Sequence, residues 1–79
     1  MEAYMSSILL FAAGFEPVNW MFCDGRLLDI QNNTALFALL GTQYGGDGIK
    51  NFALPNLNTD TTGPAKYIIC TSGLFPSRQ

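Results

Sequence analysis

The chain lacks histidine entirely, and lysine, arginine, aspartate and glutamate together make up only 13% of its 79 residues. Without imidazole there is no Ser–His or Cys–His nucleophile pair, and the commonest general base and commonest metal ligand are both missing. Ser6, Ser7, Ser72 and Ser77 therefore have no base to activate them. Four scattered cations, Arg26, Lys50, Lys66 and Arg78, form no basic stripe for a phosphate backbone, so nucleic-acid binding is not expected. The longest apolar stretch, Ile8 to Phe15, is far short of the ~20 residues a membrane-spanning helix needs, so no membrane insertion is expected. The first residues, Met1-Glu2-Ala3-Tyr4, carry no basic segment of the kind that opens a secretory signal. Synthesis in the cytoplasm with reduced cysteines is the resulting expectation. Only two cysteines are present, Cys23 and Cys70. Each lies in an apolar run, which suits buried thiols, with a single disulfide as the alternative; two ligands exclude a metal site.

What the chain has is apolar material. Hydrophobic residues make up 48%, and the 8 glycines raise apolar-plus-Gly to ~58%, against about 45–50% in an average domain. Disorder is excluded by that surplus. A single domain over residues 1–79 cannot hide it all, because so small a fold buries only about 60–65% of its unfolded surface. Part of the surplus is therefore expected to be an interface.

Glycine and proline divide the chain finely. Met5 to Ala12 reads as a first strand ended by Gly14, and its unalternating Ile8-Leu9-Leu10-Phe11 run predicts cover on both faces. Phe15 to Asn19 is a turn around Pro17, and Trp20 to Cys23 a second strand. Asp24-Gly25 before Arg26-Leu27-Leu28 signals a tight hairpin. Ala35, Leu36, Leu39 and Leu40 share one face of a helix predicted over about 32–40. Gly41 stops it, and Gln31, Asn32 and Asn33 are the candidate caps. A loop runs from Thr42 to Asn51, and Phe52-Ala53-Leu54 is a short extended piece before Pro55. Asn56 to Pro64 reads as a surface loop and Ala65 to Thr71 as the last strand. That strand is too apolar for an open edge and is expected to pair close to the first two. The fold class is α+β: a small, mainly antiparallel sheet of short strands with one helix packed on it.

The constellations that could carry chemistry have plainer structural readings. Gly45-Gly46-Asp47-Gly48 lacks the lysine and hydroxyl residue that follow the glycines of a phosphate loop, and it does not join strand to helix. It reads as a loop needing positive φ, with Asp47 and backbone carbonyls around Ca²⁺ a weaker alternative. Asp24 reads as a turn residue accepting backbone amides rather than a catalytic carboxylate, because no spacing pairs it with Asp29, Asp47 or Asp60. The aromatics are expected mostly in the core, with an exposed Trp or Tyr pair stacking on a sugar face as the alternative. No catalytic, cofactor-binding or metal-binding residue is assigned, and no cofactor is called for.

The motifs taken in order resemble a known family. Phe11-Ala12-Ala13-Gly14, Pro17 with Trp20, Cys23-Asp24-Gly25-Arg26-Leu27-Leu28, Ala35-Leu36-Phe37-Ala38-Leu39-Leu40-Gly41-Thr42, Tyr44-Gly45-Gly46-Asp47-Gly48 and Phe52-Ala53-Leu54-Pro55-Asn56-Leu57 are similar to the phage tail collar domain family, also known as microcystin-dependent proteins. The likeness covers about residues 5–57. It departs where Asn19 stands for the usual glycine before the tryptophan, and where Asn58-Thr59-Asp60 replaces an arginine-glycine-arginine stretch. The long glycine-rich downstream region of large members has no counterpart, and residues 65–78 resemble the tail of a minimal, short subgroup. The resemblance implies a non-enzymatic structural subunit that self-associates, with a trimer favoured, or docks on a larger tail, fibre or surface-filament protein. A carbohydrate- or receptor-binding module is the alternative function. Incorporation into a virion, tail-like particle or surface assembly is the implied location.

Overall fold

A computed structural model describes residues 3–58 and 65–76. The elements follow in the order β1 (Ile8–Phe11), β2 (Trp20–Phe22), β3 (Leu27–Asp29), α1 (Thr34–Leu40), β4 (Asn51–Ala53) and β5 (Lys66–Cys70). β5 lies between β1 and β2 in a three-stranded antiparallel sheet, and β3 pairs with β4 in a two-stranded one. This is the small α+β architecture expected, with the apolar last strand in the middle of its sheet. Much of the expected loop over 56–64 lies outside the described residues.

Direct cross-strand partners share a face of a sheet. One face of the larger sheet carries Ile69 and Met21, and Ile69 packs with Cys23, Leu36, Leu40, Phe52, Leu54 and Met5 in the main core. Helix α1 supplies Leu36 and Leu40 because residues four apart stack on one side of a helix. The opposite face carries Ile68 between Leu9 and Phe22, with Cys70 beside Trp20; Ile68 and Cys70 are also buried. Both cysteines are buried free thiols. Burial, with a smaller contribution from the neighbouring Asp24 charge, pushes the Cys23 thiol up to about 11.

Three expectations are corrected. The first strand is shorter than read, and Ile8 and Leu10 are exposed, so its two faces are not both covered. Its position at the sheet edge is the reason: β5 takes the covered place that the apolar run suggested for β1. Asp24-Gly25 does not close a hairpin. The Cys23 N–H donates to the Tyr67 carbonyl and the Cys23 carbonyl accepts from the Leu57 N–H, so the chain leaves one sheet here and enters the other. The aromatics are not mostly core: Tyr4, Phe15, Tyr44, Tyr67 and Phe75 are exposed, and only Phe52 is fully buried.

The helix begins at Thr34, later than expected, because the asparagines before it serve another turn. Asn33 Nδ2 donates to the Asp29 carbonyl at 2.8 Å and Asn32 Nδ2 to Asp29 Oδ2 at 2.7 Å. Asn19 adopts φ 71°, the left-handed conformation that glycine favours and asparagine tolerates.

Gly46 combines φ +94° with a backbone approach that leaves no room for a side chain. A Cβ there would lie 2.4 Å from Phe52 Cα. Gly46→Ala is expected to cost about 3 kcal/mol or more in a denaturant melt, since strain and a backbone clash add. At Gly14 a Cβ would meet nothing within 4 Å. Gly14→Ala should therefore change stability by no more than about 0.5 kcal/mol.

Candidate functional site

The residues with chemical potential gather where the chain passes between the two sheets. Asp24 Oδ1 accepts the Arg26 N–H at 3.2 Å, the side chain-to-backbone closure of an Asx turn, while Gly25 at φ +80° makes the bend. The bend carries Arg26 back over Asp24 and Glu16. Arg26 Nη2 lies 2.9 Å from Asp24 Oδ2 and 2.8 Å from Glu16 Oε2. Glu16 Oε2 also accepts the Phe22 N–H at 2.7 Å, so one carboxylate ties the 15–19 turn to both β2 and Arg26. The Arg26 guanidinium holds the Asp24 carboxyl below the usual carboxylate range, and the two acids raise Arg26 in turn.

Beside this cluster, Gly14, Phe22, Asp24, Asn58 and Lys66 line an open cleft of about 340 Å³. Asn58 is committed to backbone: its Oδ1 accepts the Tyr67 N–H at 2.8 Å and its Nδ2 donates to the Tyr67 carbonyl at 3.1 Å. The side-chain amide thereby continues the β5 ladder where the Cys23 carbonyl has turned to Leu57. Glu16, Asp24, Arg26 and Asn58 each stabilise a turn or a strand end through the bonds described.

Asp47 has the same character. Its Oδ1 accepts the N–H groups of Ile49, Lys50 and Asn51 at 2.8, 2.9 and 3.1 Å, and these bonds hold its carboxyl below the usual carboxylate range. Asn51 Oδ1 accepts the Asp47 N–H in return, at 3.0 Å. The oxygen that a Ca²⁺ reading would direct at a cation is shared among three amides of its own loop. Among the described residues, no group of three or more Cys, Asp or Glu is placed to hold a metal ion.

Sequence reasoning placed Asp24 in its turn and Asp47 in its loop. It missed Glu16 and Asn58. Both act on backbone groups of a distant strand, Glu16 across 6 residues and Asn58 across 9, and no local periodicity marks such a partner. Twelve large hydrophobic side chains among the described residues are exposed, with Val18 at 87% and Ile49 at 81%.

The acid limb of stability follows from the two depressed carboxyls. A depressed folded-state value contributes stability that is complete above the unfolded carboxylate range, near pH ~4, and is lost as pH falls through the folded value. The melting temperature is expected to hold from pH 7 to about 5 and to fall below about 4. Asp24→Asn and Asp47→Asn should each flatten that fall at a comparable cost at pH 7, because the amide oxygen keeps the turn hydrogen bonds but not the charge that protonation removes. Added Ca²⁺ should leave the melt unchanged. An Asp-dependent rise in melting temperature with Ca²⁺ would assign these turns to ion binding instead.

Among the described residues no helix is long and apolar enough to cross a membrane. A search of curated proteins finds no match to the chain. The family model of the phage tail collar domain matches residues 6–62, from the turn before β1 through α1, the glycine loop and β4. With the small antiparallel α+β fold and its junction in place, the chain belongs to the phage tail collar domain family, a structural family of tail fibres.

Proposed function

We propose that the chain is a non-enzymatic structural module, a single domain over residues 1–79, that self-associates or docks on a larger tail, fibre or surface-filament protein. Incorporation into a virion, tail-like particle or surface assembly follows from that role. The family match supports the tail-fibre setting. The observation that carries the assembly role is the exposure of twelve large hydrophobic side chains on a chain with only 13% charged residues. Exposed hydrophobic side chains in this number, on so small a chain with so few charges, support protein–protein contact. A trimer is the stoichiometry that the family likeness favours. The carbohydrate-binding alternative needs exposed Trp or Tyr rings side by side. Tyr4, Tyr44 and Tyr67 are exposed, but the described ring contacts join phenylalanines, Phe11 with the exposed Phe15 and Phe37 with Phe52.

Sedimentation velocity of the purified chain across a concentration series is expected to show a species heavier than the 8.6 kDa monomer. A folded, soluble monomer at every concentration would remove self-association from the proposal.

A further inference from the structure

Strand β2 forms one edge of the three-stranded sheet, and its Trp20-Met21-Phe22 run holds no charge, proline or glycine of its own. An uncharged, aromatic edge of this kind is a template for pairing with another strand. The register with β5 settles which of its backbone groups face away. Asn19 and Cys23 bond to β5: the Thr71 N–H donates to the Asn19 carbonyl at 2.8 Å and the Cys23 N–H to the Tyr67 carbonyl at 3.0 Å. Bonded and non-bonded pairs alternate along an antiparallel ladder, so Trp20 and Phe22 turn their N–H groups outward.

Both outward donors are occupied, and both acceptors come from the 15–19 turn. The Trp20 N–H donates to the Pro17 carbonyl at 3.0 Å and the Phe22 N–H to Glu16 Oε2 at 2.7 Å. A neighbouring strand's carbonyls would accept at these same distances. Pro17 has no N–H, so it takes a bond from the edge and cannot extend a ladder outward. Glu16 adds a charge beside an edge that has none. The turn is held in place from three sides. Arg26 Nη2 lies 2.8 Å from Glu16 Oε2. Phe15 meets Phe11 edge to face, with ring centroids 5.8 Å apart. Asn19, at φ 71°, leads the chain from the turn into β2 while its carbonyl is fixed by Thr71.

We propose that the 15–19 turn is an edge guard: Glu16 and Pro17 occupy the positions that the carbonyls of an incoming strand would take on β2, and so keep this edge out of assembly. Glu16 is the removable part of the guard, because it acts through its side chain and Pro17 through its backbone. Without the Glu16 carboxylate the Phe22 N–H lies open on an apolar edge, and a strand of a second copy can pair there. The native chain therefore assembles through surfaces other than the β2 edge. The guard goes beyond the proposed assembly role, and it stands whether the chain self-associates or docks on another protein.

The test uses the full chain, with residue-resolved amide exchange and sedimentation velocity across a concentration series. In the parent, the Trp20 and Phe22 amides are expected to be protected at the lowest concentration and to gain nothing as concentration rises. Glu16→Ala should speed Phe22 exchange about tenfold or more at low concentration. At higher concentration it should form larger species than the parent, in which the Phe22 amide regains protection. Glu16→Gln keeps an acceptor oxygen and should follow the parent in both measurements. Asp47→Ala, which removes hydrogen bonds of the 47–51 loop, controls for lost stability and should add no association. Should Glu16→Ala fail to fold, Glu16→Asp is read in its place, since the shorter side chain withdraws the carboxylate from Phe22 and keeps the charge. Parent protection at Trp20 and Phe22 that grows with concentration overturns the guard, because the edge is then an interface. Association of Glu16→Ala no greater than that of the parent overturns it as well, and so does equal association in Asp47→Ala.

Discussion

The fold depends on one long-range pairing, the insertion of β5 between β1 and β2. Lys66 to Cys70 comes from the far end of the chain, and its two neighbours come from the first 22 residues. Until it arrives, β1 and β2 have no strand to pair with. Once there, it places Ile69 against the helix side and Ile68 against the other, so that one short strand contributes to the interior on both faces. The entropy of closing so long a loop is recovered only when all three strands are in place, which couples the ends of the chain into one cooperative unit.

Besides the shared core, the backbone bonds that join the second sheet to the first among the described residues gather at one crossing. Cys23 bonds to Tyr67 on one side and Leu57 on the other, and Asn58 supplies the partner that Tyr67 would otherwise lack. Around this crossing the charged residues act as fasteners. Glu16, Asp24 and Arg26 hold the 15–19 turn, the β2 edge and the bend after Cys23 in one geometry. Few charges are present, and those at the crossing are spent on architecture. That use fits a family whose members serve as structural parts of tail fibres.

Local signals in the sequence were informative where the structure is local. The 3.6-residue spacing of Leu36 and Leu40, the glycines of the 45–48 loop, and the apolar density of Tyr67 to Cys70 each led to the right element. The ordered motifs led to the right family because six weak patterns in register are far more specific than any one. The failures share a cause. Asp24-Gly25 carries the residue preferences of a hairpin turn, yet those preferences describe only the bend, and hydrogen-bond partners 30 to 45 residues away decide what it connects. The run Ile8 to Phe11 is as apolar as a covered strand, yet its rank in the sheet is set by where β5 lands. Glu16 and Asn58 act on backbone groups, which leave no trace in side-chain periodicity. The surplus of hydrophobic residues was visible in composition, but not which of them would remain outside.

The dependence of the whole fold on β5 is tested most directly by native-state amide exchange resolved by residue. If β5 is the organising strand, the amides of Ile68, Ile69 and Cys70 exchange only through global unfolding and are the slowest in the chain. The helix Thr34–Leu40, only 7 residues long, should open earlier. Slow exchange in the helix together with rapid, independent exchange across Ile68 to Cys70 would contradict the central place given to β5.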